Sequence, residues 1–599
     1  MKNILFILVL LVLLALIAIS SNLNEILAGV AILLIGVRFM EVGFKYVSGG
    51  PVERLLKKST SSVFRSFGFG IISTSIVQSS GLISLLSISF ISAGLVSLTA
   101  GIGIIFGANI GTTTGAWLIS IFGLNFKVSA FALPFITIGG ILILRKEEKY
   151  KGVGNIFVGI GFIFLGIHFM KEGFEAYQDT IQITRYSMTG FTGVLVYVLI
   201  GIVATVIMQS SHATLALLLT ALSFNQITYM NALAMAIGSN IGTTIVAVIG
   251  SIGTNAAGKR LAAAHVIFNL TTGLAAIFLI YQLGWLVDKI SLYVGIRNDN
   301  YTLKLAMFHS LFNVLGVLFM WPFITQIEKF ISRIIKDDST ADITMPKYLN
   351  KSSIKYIETA IPALIKESRH LFDNAFEIIA HGLNIHRGDI LSNKKLKELI
   401  PDSVENMRIN IDELYFKKIK TVYSKIIKYS TIIQSYKISE EEAHLINQIR
   451  IANRYLIEII KHIRNLQLNM TIYIVSSNRE IRNEYNYLRL KIAKVMREIY
   501  RIETTEDIES QHEKLLVLQQ KAKMHDVLVN GKLDKLIRER LITSKMATSL
   551  MNDSALVARI CEKLITVAEL IYINADTILE REAEIHDTET ADDFLDEAD

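Results

Sequence analysis

The chain has 599 residues, of which 51% are hydrophobic and 19% charged. Soluble domains carry about 25% charge, so this composition, with a mean hydropathy of +0.45, excludes a wholly soluble protein. The single cysteine, Cys561, excludes a disulfide framework and a cysteine-based metal site. The average hides a split: residues 1–330 hold 20 Lys+Arg and 11 Asp+Glu, whereas residues 331–599 hold 40 and 42. Of the 38 glycines, 35 precede residue 330. The net charge of +7 is therefore +9 on the apolar half and −2 on the polar half, and gives no argument for a nucleic-acid partner.

A helix needs about 20 mostly apolar residues to cross a bilayer. Clean spans are expected near 4–20, 26–47, 95–121, 128–144, 153–175, 229–252, 260–282 and 302–325. The first, within an N-terminal segment 1–24, reads equally well as a retained helix or a secretory signal, since Lys2 precedes an apolar run ending Ala18-Ile19-Ser20-Ser21. Two further stretches, 64–93 and 193–222, are interrupted by small and polar residues and read as helical hairpins. A hairpin returns to its starting side and does not change parity. With the N-terminus inside, the inner loops carry Lys45, Arg54, Lys57, Lys58 and Arg65, then Arg145, Lys146, Lys149 and Lys151, then Lys259 and Arg260. The outer loops near 22–25, 122–127, 176–192 and 283–300 are poorer in basic residues for their length, as the positive-inside rule asks. The same count puts residues beyond 330 in the cytoplasm.

The strongest signal is an internal repeat. Gly29–Phe44 (GVAILLIGVRFMEVGF) matches Gly159–Phe174 (GIGFIFLGIHFMKEGF) at an offset of 130. Gln78-Ser79-Ser80 then matches Gln209-Ser210-Ser211, and Gly107-Ala-Asn109-Ile-Gly111-Thr112-Thr113 matches Gly238-Ser-Asn240-Ile-Gly242-Thr243-Thr244, both at 131. An odd number of spans separates the copies, which gives them opposite orientation. Inverted repeats with discontinuous helices are the architecture of many secondary transporters.

Gly and Ser also let membrane helices pack closely. Placement favours the functional reading, because Gln78 and Gln209 fall mid-hairpin, where polar groups are tolerated only if buried in protein or lining a wet cavity. A broken helix exposes the N–H groups that open its second half, and these, with the positive dipole end, attract an anion. Ser79, Ser80, Ser210 and Ser211 can donate to anion oxygens. Carbonyls ending the first half-helix, with Gln78, Gln209, Asn109, Asn240, Thr112, Thr113, Thr243 and Thr244 oxygens, suit a hard monovalent cation. No carboxylate occurs in either hairpin or either N-I-G-T-T segment, which favours neutral oxygen ligands over a carboxylate proton relay.

A second doublet, His265-x-x-Phe268-Asn269 and His309-x-x-Phe312-Asn313, places His and Asn on one helical face. A packing contact between the last two helices is the preferred reading, contact with a hairpin or substrate the alternative. The charged residues Arg38, Glu41, His168, Lys171 and Glu172 sit late in their spans and are expected to snorkel to an interface.

Paired Q-S-S hairpins, paired G-x-N-I-G-T-T segments and two H-x-x-F-N helices resemble the sodium/phosphate cotransporter family related to the type II sodium/phosphate cotransporters. The resemblance covers about 25–330. It implies a carrier of inorganic phosphate coupled to sodium, and it carries the twelve paired Gln, Ser, Asn and Thr residues above over as binding residues. The family often extends the run to three serines, where this chain has Gly81 and His212. His212 then reads either as a phosphate contact and source of pH sensitivity or as a histidine satisfied by a carbonyl.

Beyond a linker at 331–350, residues 351–583 are helical throughout, with about six long helices broken near 384–392, 432–440, 474–480, 503–508 and 543–553. From Glu580 the chain turns acidic, and 584–599 reads as a solvated tail. Ile438-Ser439-Glu440-Glu441-Glu442-Ala443, followed by Arg450-Ile451-Ala452-Asn453, resembles the PhoU-like domain that commonly follows this transporter type. That family's metal stretch carries several acids after such an Asn; here only Glu458 remains, which argues against a bound metal. The bundle reads as a regulatory domain or as a dimerisation or docking element.

The expected protein is therefore an all-α polytopic membrane protein of the cytoplasmic membrane. It is not an enzyme, has no organic cofactor, and works with sodium, phosphate, lipid and a homodimer partner. No nucleotide-binding G-x-x-x-x-G-K-[ST] occurs. The rival readings are a membrane-anchored phosphate-sensing regulator without transport and a phosphate exporter.

Overall fold

The computed structural model describes residues 21–47, 62–123, 128–178, 188–336, 345–350, 353–403, 410–436, 438–503, 508–523 and 531–575. The expected span at 4–20, the basic residues Arg54, Lys57 and Lys58, and the tail at 584–599 lie outside them. Helices account for the regular structure, with no strand among the described residues. Two compact units divide near residue 337.

The first unit runs α1 (Ser21–Val47), α2 (Val63–Val77), α3 (Ser80–Ser92), α4 (Leu98–Leu118), α5 (Val128–Ile143) and α6 (Glu148–Gln178). It continues with α7 (Gly190–Met208), α8 (Ser211–Ser223), α9 (Tyr229–Ser251), α10 (Ala256–Phe278), α11 (Ile280–Tyr293), α12 (Tyr301–Met320) and α13 (Ile324–Ile334). Among the described residues, seven stretches are long and apolar enough to cross a membrane, so the chain is an all-α polytopic membrane protein. Three details depart from the sequence expectation. The 128–144 segment is a 16-residue helix with Pro134 inside it and is not among the seven. Gly190–Met208, expected as a hairpin arm, is itself long enough to span. Part of the expected 283–300 loop is the helix α11.

Close glycine packing sets the relation between the copies. A Cβ on Gly29 would meet the Gly166 carbonyl oxygen at 2.7 Å, and one on Gly36 would meet that of Gly159 at 2.7 Å. Lower numbers on α1 thus face higher numbers on α6, so the opening helices of the two copies run antiparallel. Gly29 pairs with the counterpart of Gly36 and Gly36 with the counterpart of Gly29, as a two-fold axis between inverted copies requires.

Within each copy the hairpin leans on the N-I-G-T-T helix in the same way. A Cβ on Gly107 would lie 2.1 Å from the Phe67 oxygen, and one on Gly238 would lie 2.1 Å from the Val198 oxygen. Only glycine lets the two backbones approach this far. The second hairpin arms bridge the copies: α3 packs on α4 of its own copy and on α9 of the other, and α8 on its own α9 and on α4.

The helical unit contains α14 (Ile357–Gly382), α15 (Arg387–Leu391), α16 (Leu396–Asp402), α17 (Ile411–Leu414), α18 (Thr421–Ile433), α19 (Glu440–Tyr473), α20 (Arg479–Glu503), α21 (Ile508–Lys523), α22 (Lys532–Arg538) and α23 (Ser544–Ala568). Its core is built from the Ile and Leu stripes of these helices. A capping box at Ser439 and Glu442 starts α19. The expected break near 543–553 falls earlier, at 539–543: Thr543 caps the start of α23, which runs unbroken to Ala568. Asp553 is tolerated mid-helix because Tyr485 and Asn469 donate to its carboxylate at 2.6 and 3.0 Å. Burial nevertheless pushes that carboxyl above its usual range. Arg489, fully buried, donates to the carbonyls of Leu383, Asn384, Ile400 and Ser403 and so fastens the connection between α14 and α16.

Candidate substrate and ion site

Both hairpins break at the same two residues with the same backbone. α2 ends at Gln78, whose φ of 55° and ψ of 28° are left-handed, and α7 ends at Gln209 with 53° and 23°. A non-glycine residue in this region is uncommon and stores strain, a frequent mark of functional sites. The next residue, Ser79 or Ser210, is extended and caps the second half-helix. Its Oγ accepts from Leu82 N at 3.3 Å in the first copy and from Ala213 N at 3.2 Å in the second. The opening N–H groups of α3 and α8 therefore face the break.

The two tips differ in their surroundings. Gln78 is half-buried, and its amide donates to Thr114 Oγ1 at 3.0 Å and to the Ser75 carbonyl. Ser79 and Ser80 are buried, and Ser79 Oγ donates to Glu41 Oε1 at 2.8 Å. Glu41 also pairs with Arg38 at 3.2 Å. The snorkelling expectation is thus corrected for Glu41, and one tip carries a carboxylate that the hairpin and N-I-G-T-T segments do not show. The signal was available in that an ionisable residue within a span is a functional candidate by default. At the other tip Gln209 is exposed and Ser210 half-exposed, while Ser211 and His212 are buried.

The tips converge on Gly115. A Cβ there would lie 2.1 Å from His212 Cδ2 and 2.7 Å from Gln78 Oε1. Both side chains line a cavity of about 350 Å³ whose only other polar wall residue is Ser75. The repeat counterparts reverse the sizes: Gly81 stands where the second copy has His212, and it meets Val246, which stands where the first has Gly115.

The Asn and Thr residues divide. Thr112, Thr113, Thr243 and Thr244 donate their hydroxyls back to carbonyls of their own helices at 2.8 to 3.0 Å, leaving lone pairs to accept a cation. Asn109 donates to the Ile105 carbonyl at 2.8 Å. Asn240 instead donates to Asn313 Oδ1 at 2.7 Å and meets His309 Nε2 at 2.9 Å through its own oxygen. The preferred reading of the His–Asn doublet, packing between the last two helices, is therefore corrected for His309 and Asn313: they hold a motif residue of α9. Their twins His265 and Asn269 are buried, and the His265 Nδ1 and both Asn269 amide atoms have no partner among the described residues.

Sequence reasoning also missed a hydroxyl cluster. Thr205 Oγ1 meets Thr214 Oγ1 at 2.8 Å and Ser239 Oγ at 3.1 Å, tying both arms of the second hairpin to α9. Its counterpart Thr74 has lost both partners, because Ile83 and Ala108 stand in their places.

A membrane bundle of two antiparallel copies, each carrying a hairpin broken at a Gln-Ser cap, defines an inverted-repeat membrane protein of the type that secondary carriers use. The family model described as Na+/Pi-cotransporter matches residues 32–172 and 182–293. The chain belongs to the sodium/phosphate cotransporter family. It is 26% identical over 428 residues to "Putative inorganic phosphate export protein YjbB" of Escherichia coli (strain K12), covering 70% of this chain and 73% of that protein. A Salmonella typhimurium relative of the same description is 28% identical over 386 residues, 64% of this chain and 68% of its own length. "Uncharacterized protein YqeW" of Bacillus subtilis (strain 168) is 30% identical over 316 residues, 51% of this chain and 96% of its own. No solved structure matches.

Proposed function

We propose that the protein is a sodium-coupled carrier of inorganic phosphate that works by alternating access. It would sit in the cytoplasmic membrane with the helical unit on the cytoplasmic side, as the basic inner loops argue. The observation that carries the reading is the matched pair of left-handed Gln residues and Ser caps on antiparallel copies. Phosphate is held by the half-helix N-termini and by Ser80, Ser210 and Ser211, and by Ser79 once its hydroxyl turns from Glu41. Sodium is held by carbonyls at the breaks and by Gln78, Gln209, Asn109, Thr112, Thr113, Asn240, Thr243 and Thr244 oxygens.

Glu41 gives the first tip a preference for the cation, whereas the second tip, with His212 and no carboxylate, suits the anion. No covalent step is needed. The helical unit, whose Glu458 is engaged by Lys563 and Arg454, is a regulatory or docking element.

Sodium-dependent phosphate flux in proteoliposomes tests the reading in both directions. Phosphate should move with the sodium gradient, and Gln78→Ala or Gln209→Ala should abolish most of the flux. Saturable phosphate binding without flux either way would sink the carrier and leave a membrane-anchored phosphate sensor. The relatives' printed names favour a second reading, export, and net efflux at an opposing sodium gradient would select it.

A further inference from the structure

The sequence writes one three-residue contact twice, and the fold forms it once. In the second copy Asn240 of α9 donates to Asn313 Oδ1 at 2.7 Å, and its own oxygen meets His309 Nε2 at 2.9 Å. Asn109 of α4 is the counterpart of Asn240, and His265 and Asn269 of α10 repeat His309 and Asn313 at an offset of 44. Yet Asn109 donates to the Ile105 carbonyl of its own helix, while His265 Nδ1 and both amide atoms of Asn269 have no partner among the described residues. All three side chains are buried, where an unpartnered polar group is costly.

Packing relates the two doublets by the same two-fold that relates the copies. α10 packs on α9, α4 and α3, and α12 packs on α4, α9 and α8, so exchanging the copies turns one set into the other. A Cβ on Gly316 would meet Thr272 Cγ2 at 2.8 Å. Thr272 is the counterpart of Gly316 at the same offset of 44, as a two-fold between α10 and α12 requires. The unformed triad is also within reach. A Cβ on Gly101 would lie 3.1 Å from Leu261 Cδ1, and the Phe106 and Phe268 rings are 4.4 Å apart. α4 and α10 therefore run the same way, and Asn109, on the Phe106 face of α4, stands within about one turn of Asn269.

We propose that His265 and Asn269 are the positioning residues of the opposite-facing state, a reading that rests on alternating access. In that state Asn109 leaves the Ile105 carbonyl, donates to Asn269 Oδ1 and accepts from His265 Nε2. Asn240 leaves His309 and Asn313 and donates to the carbonyl of Ala236, the counterpart of Ile105. One buried triad is exchanged for an equivalent one, so the two states stay close in free energy, as a carrier that must visit both requires.

Reactivity of the two hairpin tips tests this in the purified full-length chain. Gln209 is exposed in this state and Gln78 half-buried, and the two-fold exchanges those environments in the other. Single cysteines, Gln209→Cys or Gln78→Cys, are placed in a Cys561→Ser background and alkylated by a charged thiol reagent in detergent. Asn313→Leu weakens the state seen here, and Asn269→Leu weakens the other. The ratio of the Gln209→Cys rate to the Gln78→Cys rate should therefore be at least about tenfold higher in Asn269→Leu than in Asn313→Leu. Should Asn313→Leu misfold, Asn313→Ser removes the amide with less bulk and should give the same ordering. Ratios within about twofold of each other would overturn the proposal, and sodium-dependent protection against unfolding lost only in Asn269→Leu would then mark the unformed triad as a cation site instead. The ratio is read without a gradient or flux, so an absence of phosphate transport would defeat the carrier and leave the exchange intact.

Discussion

The two copies of the repeat share a backbone and differ in how their polar groups are satisfied. In the second copy Asn240 is held by His309 and Asn313, and Thr205 by Thr214 and Ser239. In the first copy Asn109 bonds only its own helix and Thr74 has no partner among the described residues, yet the hairpin tip is buried and backed by Glu41. One copy is thus fastened along its helices and open at its tip, and the other is closed at its tip and loosely tied behind it. Duplication supplies the scaffold, and divergence at a few facing positions assigns each half a different mechanical and electrostatic role.

The largest expected effect tests the junction of the tips. Gly115→Ala places a methyl against His212 and Gln78 and should cut phosphate flux at least about tenfold, or about 1.4 kcal/mol of barrier. The matched change Gly81→Ala meets Val246 Cγ1 at 3.2 Å and should cost less than about twofold. Equal losses in the same flux assay would mean the tips are equivalent after all.

Next comes the asparagine pair. Asn240→Ala strips His309 and Asn313 of buried partners and should destabilise the chain in detergent by about 3 kcal/mol, at about 1–3 kcal/mol per orphaned group. Asn109→Ala should cost roughly 1 kcal/mol or less. Denaturant midpoints at constant slope would compare them, and the reverse order would refute the asymmetry.

The threonine pair is smaller again. Thr205→Val should cost about 1–2 kcal/mol, while Thr74→Val, which removes a hydroxyl without a partner, should be neutral or slightly stabilising.

A control outside the repeats applies the same reasoning to charge. Burial holds Asp553 above its ordinary value, so the unfolded chain ionises first as pH rises, and folded stability falls between the ordinary and the raised value. Asp553→Asn should therefore gain on the wild-type chain as pH rises above the ordinary aspartate value of about 4. A difference that does not vary with pH would mean the carboxyl is not perturbed.

The sequence alone marked the duplication, the breaks at Gln78 and Gln209 and the antiparallel copies. Those features are local or periodic: a helix break, a glycine row and a span count are each written in consecutive residues. It also marked the all-helical second half, since apolar residues three and four apart specify helix without reference to a partner. What only the tertiary structure decided is which side chains meet. Ser79 and Glu41 are 38 residues apart, and Asn240 and His309 are 69 apart. Their pairing follows from the packing of α1 against the first hairpin and of α12 against α9. A buried carboxylate or amide takes whatever partner packing brings within about 3 Å, and no spacing along the chain encodes that distance.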